Sequence, residues 1–362
     1  MRPRWTNKHR ATQLRNREYQ EVMNSESDKN LPIGFAYLEP EAYRASQGPF
    51  QRHPLAAILH GNCDPPEQPW PQVSSGLQPL SGSGTVELLH SATQPYFSKD
   101  NGFHLAVTEE FLFGACSLPA TAEASLSALA EDIYGRLFQI VEDKGYPYLQ
   151  RVWNVVPSIN RTQSGMERYK QFCLGRHAAF GKHLPNMERC YPSASAVGSA
   201  AGMLCVYFLA ARTPGVPIEN PRQVSAYKYP PQYGPKSPSF SRALVRKWRD
   251  SACLFLSGTA SITGHETRHL GHISAQAEET LDNIRTLVAT ASEASGAQFS
   301  LDPATSLLKV YIRKTSDYQE VCDLLHEHLG GSIDVLYLEA DLCRKELLLE
   351  LDGVVFAPRL AA

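Results

Sequence analysis

The sequence predicts a mixed α/β (α+β) protein made of two tandem units. Each unit has the element order β-β-α-β-α-β-β, with helices packed on one face of a mixed sheet. Two observations lead to this prediction. Apolar residues recur with a period of two in some segments and of about 3.6 in others, which indicates strands alternating with amphipathic helices. The same order of elements then returns after roughly 145 residues, and a repeat of that length is typical of duplicated domains rather than of a solenoid.

The first unit begins with two short strands joined by a turn within residues 103–118. Four further elements follow in order. They are an amphipathic helix over 121–144 closed by Gly145, a strand over 150–156, a helical stretch over 166–180 and a buried strand within 198–211.

The second unit repeats this order. Its elements are a strand over 252–262, a helix over 266–294, a strand over 307–313, a helix that Asp317 could cap and that ends at Gly330 and Gly331, and a hairpin of residues 335–342 and 346–356. We expect the turn of that hairpin at Arg344 and Lys345.

These elements divide the chain into four parts. We expect a loosely ordered polar arm at 1–30, a first unit at 31–212, a proline-rich connector at 213–242 and a second unit at 243–362. Within the first unit, residues 62–84 are rich in Pro, Gly and Ser and predict a long loop.

The composition is that of an ordinary globular protein. Of the 362 residues 43% are hydrophobic and 20% charged, and the net charge is −2. No basic excess indicates nucleic-acid binding, no apolar run approaches the roughly 20 residues of a membrane span, and the basic N-terminus lacks the apolar segment of a secretory leader. Eight cysteines without a CxxC pair predict reduced thiols in a cytoplasmic protein.

Glu350 lies in the middle of an otherwise apolar strand near the C-terminus. Alternation places it on one face with Asp352, while Leu349 and Leu351 lie on the other. Burial penalises an ionised carboxylate, so the surroundings of Glu350 could shift its pKa. The alternative is a glutamate on the solvated face of an edge strand. A rough alignment of the two units places Tyr207 at the position of Glu350, which indicates that the fold itself does not need the carboxylate.

The connector contains three tyrosines, several prolines and Arg242. Prolines stiffen a loop, so it could present these side chains in fixed positions to a small anionic ligand, since arginine binds carboxylates with two hydrogen bonds. Arg313, at the end of an apolar strand, is a second candidate clamp. The alternatives are a rigid linker whose tyrosines only pack, and an ordinary surface arginine at a strand end.

A histidine cluster also invites a metal interpretation. His265 and His269 are four residues apart and His272 follows three later, a spacing that suits one helical face. Flanking glycines indicate a helix start instead, where histidines cap or stay solvated, and no HExxH motif is present. We therefore predict no metal. Residues 257–262 lack the GxSxG pattern, so serine hydrolase chemistry is not predicted either.

Several stretches together resemble the chorismatases, bacterial enzymes that hydrolyse chorismate. They are residues 151–160, 167–176, 192–198, 227–242, 257–265, 309–313 and 343–353, which span most of the chain beyond residue 90. The resemblance implies a fold of two tandem RidA/YjgF-like units, in agreement with the duplication. It also implies chemistry that needs neither metal nor organic cofactor.

The resemblance implies a role for particular residues. Glu350 matches the catalytic glutamate of the family, which would protonate the enolpyruvyl ether of chorismate. Tyr227, Tyr233 and Arg242 match the wall of the substrate site, and Arg313 matches a contact to a substrate carboxylate.

The resemblance also bears on the product. Family members with a cysteine at the position of Cys343 release 3-hydroxybenzoate, whereas members with a small inert residue there release a dihydroxycyclohexadiene carboxylate. Gly258 or Ala260 matches the second position that separates these subtypes, and a further subtype forms both 3- and 4-hydroxybenzoate. We expect Cys343 to assist aromatisation of the ring.

The sequence therefore predicts a cytoplasmic chorismate hydrolase or lyase of the 3-hydroxybenzoate-forming type, supplying hydroxybenzoate to secondary metabolism or pigment synthesis. The alternatives are release of the dihydroxycyclohexadiene carboxylate, a RidA-like imine or enamine hydrolase, and a non-catalytic ligand-binding protein. Chorismate is the expected small-molecule partner. Both a monomer and a homotrimer remain open, because a duplication could replace contacts between subunits with contacts within one chain.

Overall fold

The computed structural model of the protein describes residues 31–45, 52–121, 125–184, 191–200, 202–330 and 333–357. The arm predicted at 1–30 lies outside the described residues. Within them, three large sheets form the fold, and two two-stranded ribbons accompany them.

The first sheet is formed by residues that precede both predicted repeats. Its region contains β1 (Ile33–Leu38), α1 (Pro40–Ala45), β2 (His53–Gly61), β3 (Gln72–Ser74), β4 (Gln78–Pro79) and β5 (Gly84–Ser91). The strand order is β1-β5-β2-β3, and only β2 and β3 run parallel. The sequence analysis did not predict this sheet, and the loop predicted at 62–84 contains β3 and β4.

The second sheet belongs to the first repeat. Its region contains β6 (Tyr96–Asp100), β7 (Phe103–Val107), β8 (Phe111–Pro119), α2 (Leu126–Asp143), β9 (Tyr148–Pro157), β10 (Thr162–Gln163), β11 (Met166–Glu167), α3 (Arg168–His183), β12 (Ser193–Ser199) and β13 (Met203–Ala211). The strand order is β12-β9-β13-β8-β7-β6, and β12 is parallel to β9. β10 and β11 form a separate ribbon.

The third sheet belongs to the second repeat. Its region contains β14 (Val216–Ile218), β15 (Ala243–Lys247), β16 (Ala252–Thr259), β17 (Ile262–Thr263), β18 (Glu266–Thr267), α4 (Ile273–Ser295), β19 (Ser306–Ile312), α5 (Tyr318–Leu329), β20 (Asp334–Glu339) and β21 (Leu349–Ala357). The strand order is β14-β15-β16-β21-β19-β20-β4, and β20 is parallel to β19. β17 and β18 form the second ribbon.

The two repeats have the same topology, which confirms the predicted tandem α+β units. In both sheets the last strand of the unit lies between two antiparallel neighbours, β13 between β8 and β9, and β21 between β16 and β19. Each unit carries one additional edge strand at its start, β6 or β14, that the sequence analysis did not predict.

One face of each sheet packs into a single central core. Phe35 of the first sheet, Phe113 of the second and Phe255 of the third all belong to it, and the rings of Phe35 and Phe255 meet edge to face at 6.4 Å. The helices α2 and α3 cover the outer face of the second sheet, and α4 and α5 that of the third. Each fully buried apolar side chain of these cores contributes about 1.5–3 kcal/mol. Among the described residues, no helix has the length and apolar character needed to cross a membrane.

Two local predictions are wrong. The helix predicted over 266–294 begins only at Ile273, because His269 and Gly271 have positive φ angles of 54° and 78°, which interrupt a right-handed helix. The C-terminal hairpin does not exist, since β19 lies between β20 and β21 and pairs with both. Alternation of apolar residues indicates where strands are but not which strands pair.

Candidate active site

A cavity lies where β12, at the edge of the second sheet, meets β16 of the third. The Ser257 hydroxyl joins the two strands, because it donates to Ser193 Oγ (3.0 Å) and accepts a hydrogen bond from the Ala194 N–H (2.9 Å). Helix α3, the connector and the loop between β20 and β21 supply the remaining walls. Both tandem units therefore contribute residues to one site.

Glu350 projects into this cavity from β21, an interior strand of the third sheet. Only 4% of its surface is exposed, so the alternative of a solvated glutamate on an edge strand is wrong. Leu349 and Leu351 pack into the outer core, as the predicted alternation requires. A Cβ atom at Gly258 would overlap Glu350 Oε1, so the absence of a side chain there makes room for the carboxyl group.

The electrostatic environment favours the protonated form of Glu350. Burial raises the pKa of Glu350 to about 8, and the charge of Asp352 acts in the same direction. The positive charges of Arg151 and Arg242 act against these effects without cancelling them. At neutral pH this carboxyl group is consequently an acid that still holds its proton.

Two cysteine thiols lie on the same cavity. Cys343, half-buried in the loop between β20 and β21, has its pKa raised to about 12 by burial and by the nearby Glu350. Cys173, on α3, also has its pKa raised to about 12 by burial. Both are therefore protonated at neutral pH. Because β20 and β21 are not a hairpin, Cys343 approaches Glu350 from a loop and not from an adjacent strand.

An arginine with unused donors forms part of the wall on α3. Arg176 is only 4% exposed, and its guanidinium lies over the rings of Tyr134 and Phe180 at 5.0 and 4.9 Å from their centroids. Its Nε and Nη2 have no hydrogen-bond partner within the described part of the chain. A buried guanidinium with free N–H groups is costly alone and is well suited to an anionic ligand.

Two further arginines hold the connector over the cavity. Arg242 Nη2 donates to the Tyr229 hydroxyl (2.7 Å) and to the Val224 carbonyl (2.8 Å). The guanidinium of Arg344 lies 3.9 Å from the ring centroid of Tyr233 and 5.1 Å from that of Tyr229. Both arginines and Tyr229 line the cavity. The connector is thereby fixed by cation–π contacts and hydrogen bonds.

The structure brings five of the eight predicted site residues to the cavity, namely Glu350, Cys343, Arg242, Gly258 and Ala260. Three others lie elsewhere. Tyr227 packs against Tyr191 at 5.1 Å, and the Tyr233 hydroxyl lies 3.1 Å from His265 Nδ1. Arg313 uses its donors on the carbonyls of Leu347 and Arg344 and on the Asp341 carboxylate, so it does not face the cavity.

The predicted set omitted Arg176, Tyr229 and Arg344. A helical arginine that points into a cavity has no local sequence signal, although Arg176 does lie within a stretch that resembles the chorismatases. Tyr229 takes the wall position expected for its neighbours because two short 3-10 turns, Ala226–Lys228 and Pro231–Tyr233, flank it and turn the three tyrosines in different directions.

The histidine cluster is dispersed in space. His265 contacts Tyr233, and His269 Nε2 lies 3.6 Å from the Glu279 carboxylate. In the residues that the structure describes, no three His, Cys, Asp or Glu side chains come together in a way that could hold a metal ion.

The tandem α+β units thus enclose a cavity lined by a buried carboxyl group, two thiols and three arginines. Comparisons with known proteins specify the family. The profile of FkbO/Hyg5-like chorismatase N-terminal domains matches residues 87–210. A 3-hydroxybenzoate synthase from Streptomyces hygroscopicus is 33% identical over 318 residues, covering 85% of this chain and 93% of that protein. A chorismatase from Streptomyces rapamycinicus is 36% identical over 270 residues, covering 71% and 79%.

One solved structure supports the same family. A crystal structure of a chorismatase is 30% identical, covers 89% of this chain and 98% of its own, and superimposes with a TM-score of 0.78. RidA from an Antarctic Psychrobacter matches 33% of this chain and 88% of its own at 16% identity and a TM-score of 0.26. The chain belongs to the chorismatase family, which confirms the resemblance found in the sequence.

Proposed function

We propose that this enzyme cleaves the enolpyruvyl ether of chorismate and releases pyruvate, with Glu350 as the general acid. The observation that carries the proposal is the buried carboxyl group of Glu350 on the cavity wall, whose pKa of about 8 keeps it protonated at neutral pH. An enol ether becomes reactive once a proton reaches its terminal methylene carbon, and a desolvated carboxylic acid can supply that proton.

The proposed reaction begins with proton transfer from Glu350 to the methylene carbon, which produces an oxocarbenium ion. Water adds to this ion and gives a hemiketal, while the Glu350 carboxylate accepts the proton that the water releases. Collapse of the hemiketal then yields pyruvate and a ring alcohol. One water molecule is consumed, and the acid is restored for the next cycle.

Two carboxylates of chorismate require two cationic contacts. We assign Arg242 and Arg176 to them, because both line the cavity and Nε and Nη2 of Arg176 have no partner among the residues that the structure describes. Arg344 is a third arginine at the same cavity, and its buried Nη2 has no partner within the described part of the chain. The donors of Arg313 are engaged with the backbone and with Asp341, so we do not retain it as a clamp.

We propose 3-hydroxybenzoate as the aromatic product, because Cys343 lines the cavity beside Glu350. After the first step the ring alcohol must lose water to become aromatic. The Cys343 sulfur would form a bond to ring carbon as the ring hydroxyl leaves with a proton as water. That bond breaks when the ring loses its own proton, which regenerates the thiol. The pKa of Cys343 is too high for a free thiolate, so the thiol proton is the one that leaves with the ring hydroxyl as the carbon–sulfur bond forms.

The proposed activity is tested by incubating the full chain with chorismate and following pyruvate with a coupled dehydrogenase. Glu350→Gln should abolish turnover, and Glu142→Gln, on the exposed surface of α2, should retain it. Absence of pyruvate above the spontaneous rate would contradict the proposal. That result would favour a RidA-like imine hydrolase or a binding protein.

The product is tested separately by chromatography. Wild-type enzyme should release 3-hydroxybenzoate, and Cys343→Ala should shift the product towards the dihydroxycyclohexadiene carboxylate. Cys322→Ala is the matched control, because Cys322 lies on α5 and does not line the cavity. An unchanged product ratio in Cys343→Ala would rule out the role given to this thiol. A mixture with 4-hydroxybenzoate in the wild type would identify the dual-product subtype.

We further propose that the protein acts as a monomer in a reducing cytoplasm. One chain already supplies the three sheets that enclose the central core, and the seven cysteines in the described part of the chain are all unpaired. Light scattering during size exclusion should give a mass near 40.1 kDa. A mass three times larger would support the homotrimer.

A further inference from the structure

We propose that Asp352 is a positioning residue that keeps the Glu350 carboxyl group in its acidic, proton-bearing form, and that Arg151, Ser195 and Tyr311 hold the Asp352 carboxylate in place for this purpose. The inference deepens the proposed function, because it explains how the same site maintains its general acid. It rests on a cluster of buried groups directly behind the cavity.

Geometry places the two carboxyl groups on one face of a single strand. Glu350 and Asp352 are two residues apart on β21, and residues at that spacing project to the same side about 6–7 Å apart. Their partners in the neighbouring strand are Tyr311 and Lys309 respectively. Asp352 has no exposed surface and Glu350 only 4%, so little solvent screens one from the other.

The Asp352 carboxylate is anchored by three donors on one oxygen. Its Oδ2 accepts hydrogen bonds from Arg151 Nη2 (2.7 Å), the Ser195 hydroxyl (2.5 Å) and the Tyr311 hydroxyl (3.0 Å). Three donors stabilise the ionised form of a carboxyl group. These donors hold the Asp352 carboxylate against the guanidinium of Arg151, and its Oδ1 is buried without a partner among the described residues.

The positive charge of Arg151 is committed to this cluster. Besides Asp352, its guanidinium donates to Ser193 and Ser195 and stacks over Trp153 at 4.9 Å. The guanidinium of Arg151 is thus engaged by the Asp352 carboxylate and by two serine hydroxyls. Consistently, the influence of Asp352 on the pKa of Glu350 is larger than the opposing influence of Arg151.

Other titratable and charged groups face Glu350 from every packed element. They are Arg176, Tyr169 and Cys173 on α3, Arg242 and Tyr229 in the connector, Cys343 and Arg344 in the loop before β21, and Tyr311 on β19. Among these, Arg242 opposes protonation of Glu350, and burial raises the pKa of Cys173, Cys343, Tyr169 and Tyr311. Asp352 is the nearby group whose charge favours the acid, which is why we single it out.

The test measures titration of the Glu350 carboxyl group by infrared difference spectroscopy on the full, substrate-free protein, with Glu350→Gln as the spectroscopic blank. Asp352→Asn keeps the shape but removes the negative charge, so we expect the pKa of Glu350 to fall by about one to two pH units. Tyr311→Phe removes one donor from Asp352 and leaves its charge less compensated. It should therefore raise the pKa of Glu350, by a smaller amount.

The pH profile of kcat/KM for chorismate should follow the titration. The loss of activity at high pH moves to lower pH in Asp352→Asn and to higher pH in Tyr311→Phe. A purely structural role would lower activity equally at every pH and shift neither curve. An unchanged Glu350 titration in Asp352→Asn overturns the inference. If that variant does not fold, an unchanged or lowered value in Tyr311→Phe overturns it instead.

The infrared titration needs no chorismate, so the two proposals can fail separately. Wild-type protein that does not turn over chorismate would reject the proposed function. The position of the Glu350 titration in the variants would still decide whether Asp352 controls it.

Discussion

Replacing Glu350 by glutamine should stabilise the folded protein at neutral and alkaline pH while it abolishes activity. In the folded chain the pKa of Glu350 is about 8, against an ordinary value of 4.5 in the unfolded chain. Between these values the folded chain retains a proton that the unfolded chain releases, so rising pH favours unfolding. The stability lost in this way increases from pH 4.5 to about 8 and is constant above.

The size of the effect follows from the same two values. Each pH unit between them corresponds to about 1.4 kcal/mol, which gives about 3 kcal/mol at pH 7 and about 5 kcal/mol above pH 8. Glutamine resembles the protonated acid in shape and has no charge to desolvate. The Glu350→Gln protein therefore does not lose this free energy of unfolding as the pH rises. For a chain of this length, 3 kcal/mol corresponds to a rise in Tm of about 4 °C.

The assay is urea or thermal unfolding of wild type and Glu350→Gln at pH 5, 6, 7, 8 and 9. The difference between the two proteins should be small at pH 5, should grow to pH 8 and should then level off. Glu142→Gln, at an exposed position, should leave the pH dependence unchanged. A difference between wild type and Glu350→Gln that does not vary with pH would refute the reasoning, because it would mean that Glu350 is ionised in the folded protein.

Two further substitutions test the cavity. Gly258→Ala should lower kcat at least tenfold without a change of fold, because the new methyl group displaces the Glu350 carboxyl group, whereas Gly181→Ala on α3, where a Cβ meets nothing within 4 Å, should retain full activity. Steady-state kinetics with equal activity in both variants would contradict this. Arg176→Met should raise the KM for chorismate by about tenfold to a hundredfold and also raise Tm, because it removes a ligand contact and a buried guanidinium whose Nε and Nη2 have no hydrogen-bond partner among the described residues. A variant with unchanged KM would exclude Arg176 as a carboxylate contact.

The sequence alone was sufficient to predict those features that depend only on neighbouring residues along the chain. Alternation along 347–352 predicted the strand and the face on which Glu350 lies, and both follow from the two-residue period of β structure alone. The duplication was visible because both units use the same order of elements. The first sheet was missed although β2 and β5 are apolar, since no second copy of it exists for comparison and long polar segments separate its strands.

The pairing of the strands and the choice of ligand-binding arginines depend on contacts between distant parts of the chain. Whether β21 pairs with β20 or with β19 is decided by the crossover helix α5, which makes β19 and β20 parallel neighbours. The sequence could not show which of Arg313 and Arg176 is available to bind a ligand carboxylate. That depends on whether other groups of the folded chain already accept hydrogen bonds from their N–H groups. Only the folded structure shows that the N–H groups of Arg313 are already hydrogen-bonded, whereas Nε and Nη2 of Arg176 have no partner among the described residues.

The need to keep Glu350 protonated explains why this residue lies on a central strand. A carboxyl group stays protonated near neutral pH only where water is excluded, and β21 has sheet neighbours on both sides and an apolar core behind its opposite face. Two buried ion pairs flank this strand, Arg151 with Asp352 and Lys309 with Glu87, and each joins different sheets. Any other packing of the sheets would leave a buried charge without its partner, which costs several kcal/mol. The Arg151–Asp352 pair, which joins the second sheet to the third, also fixes the negative charge beside Glu350, so the fold and the acidity of the site depend on the same residues.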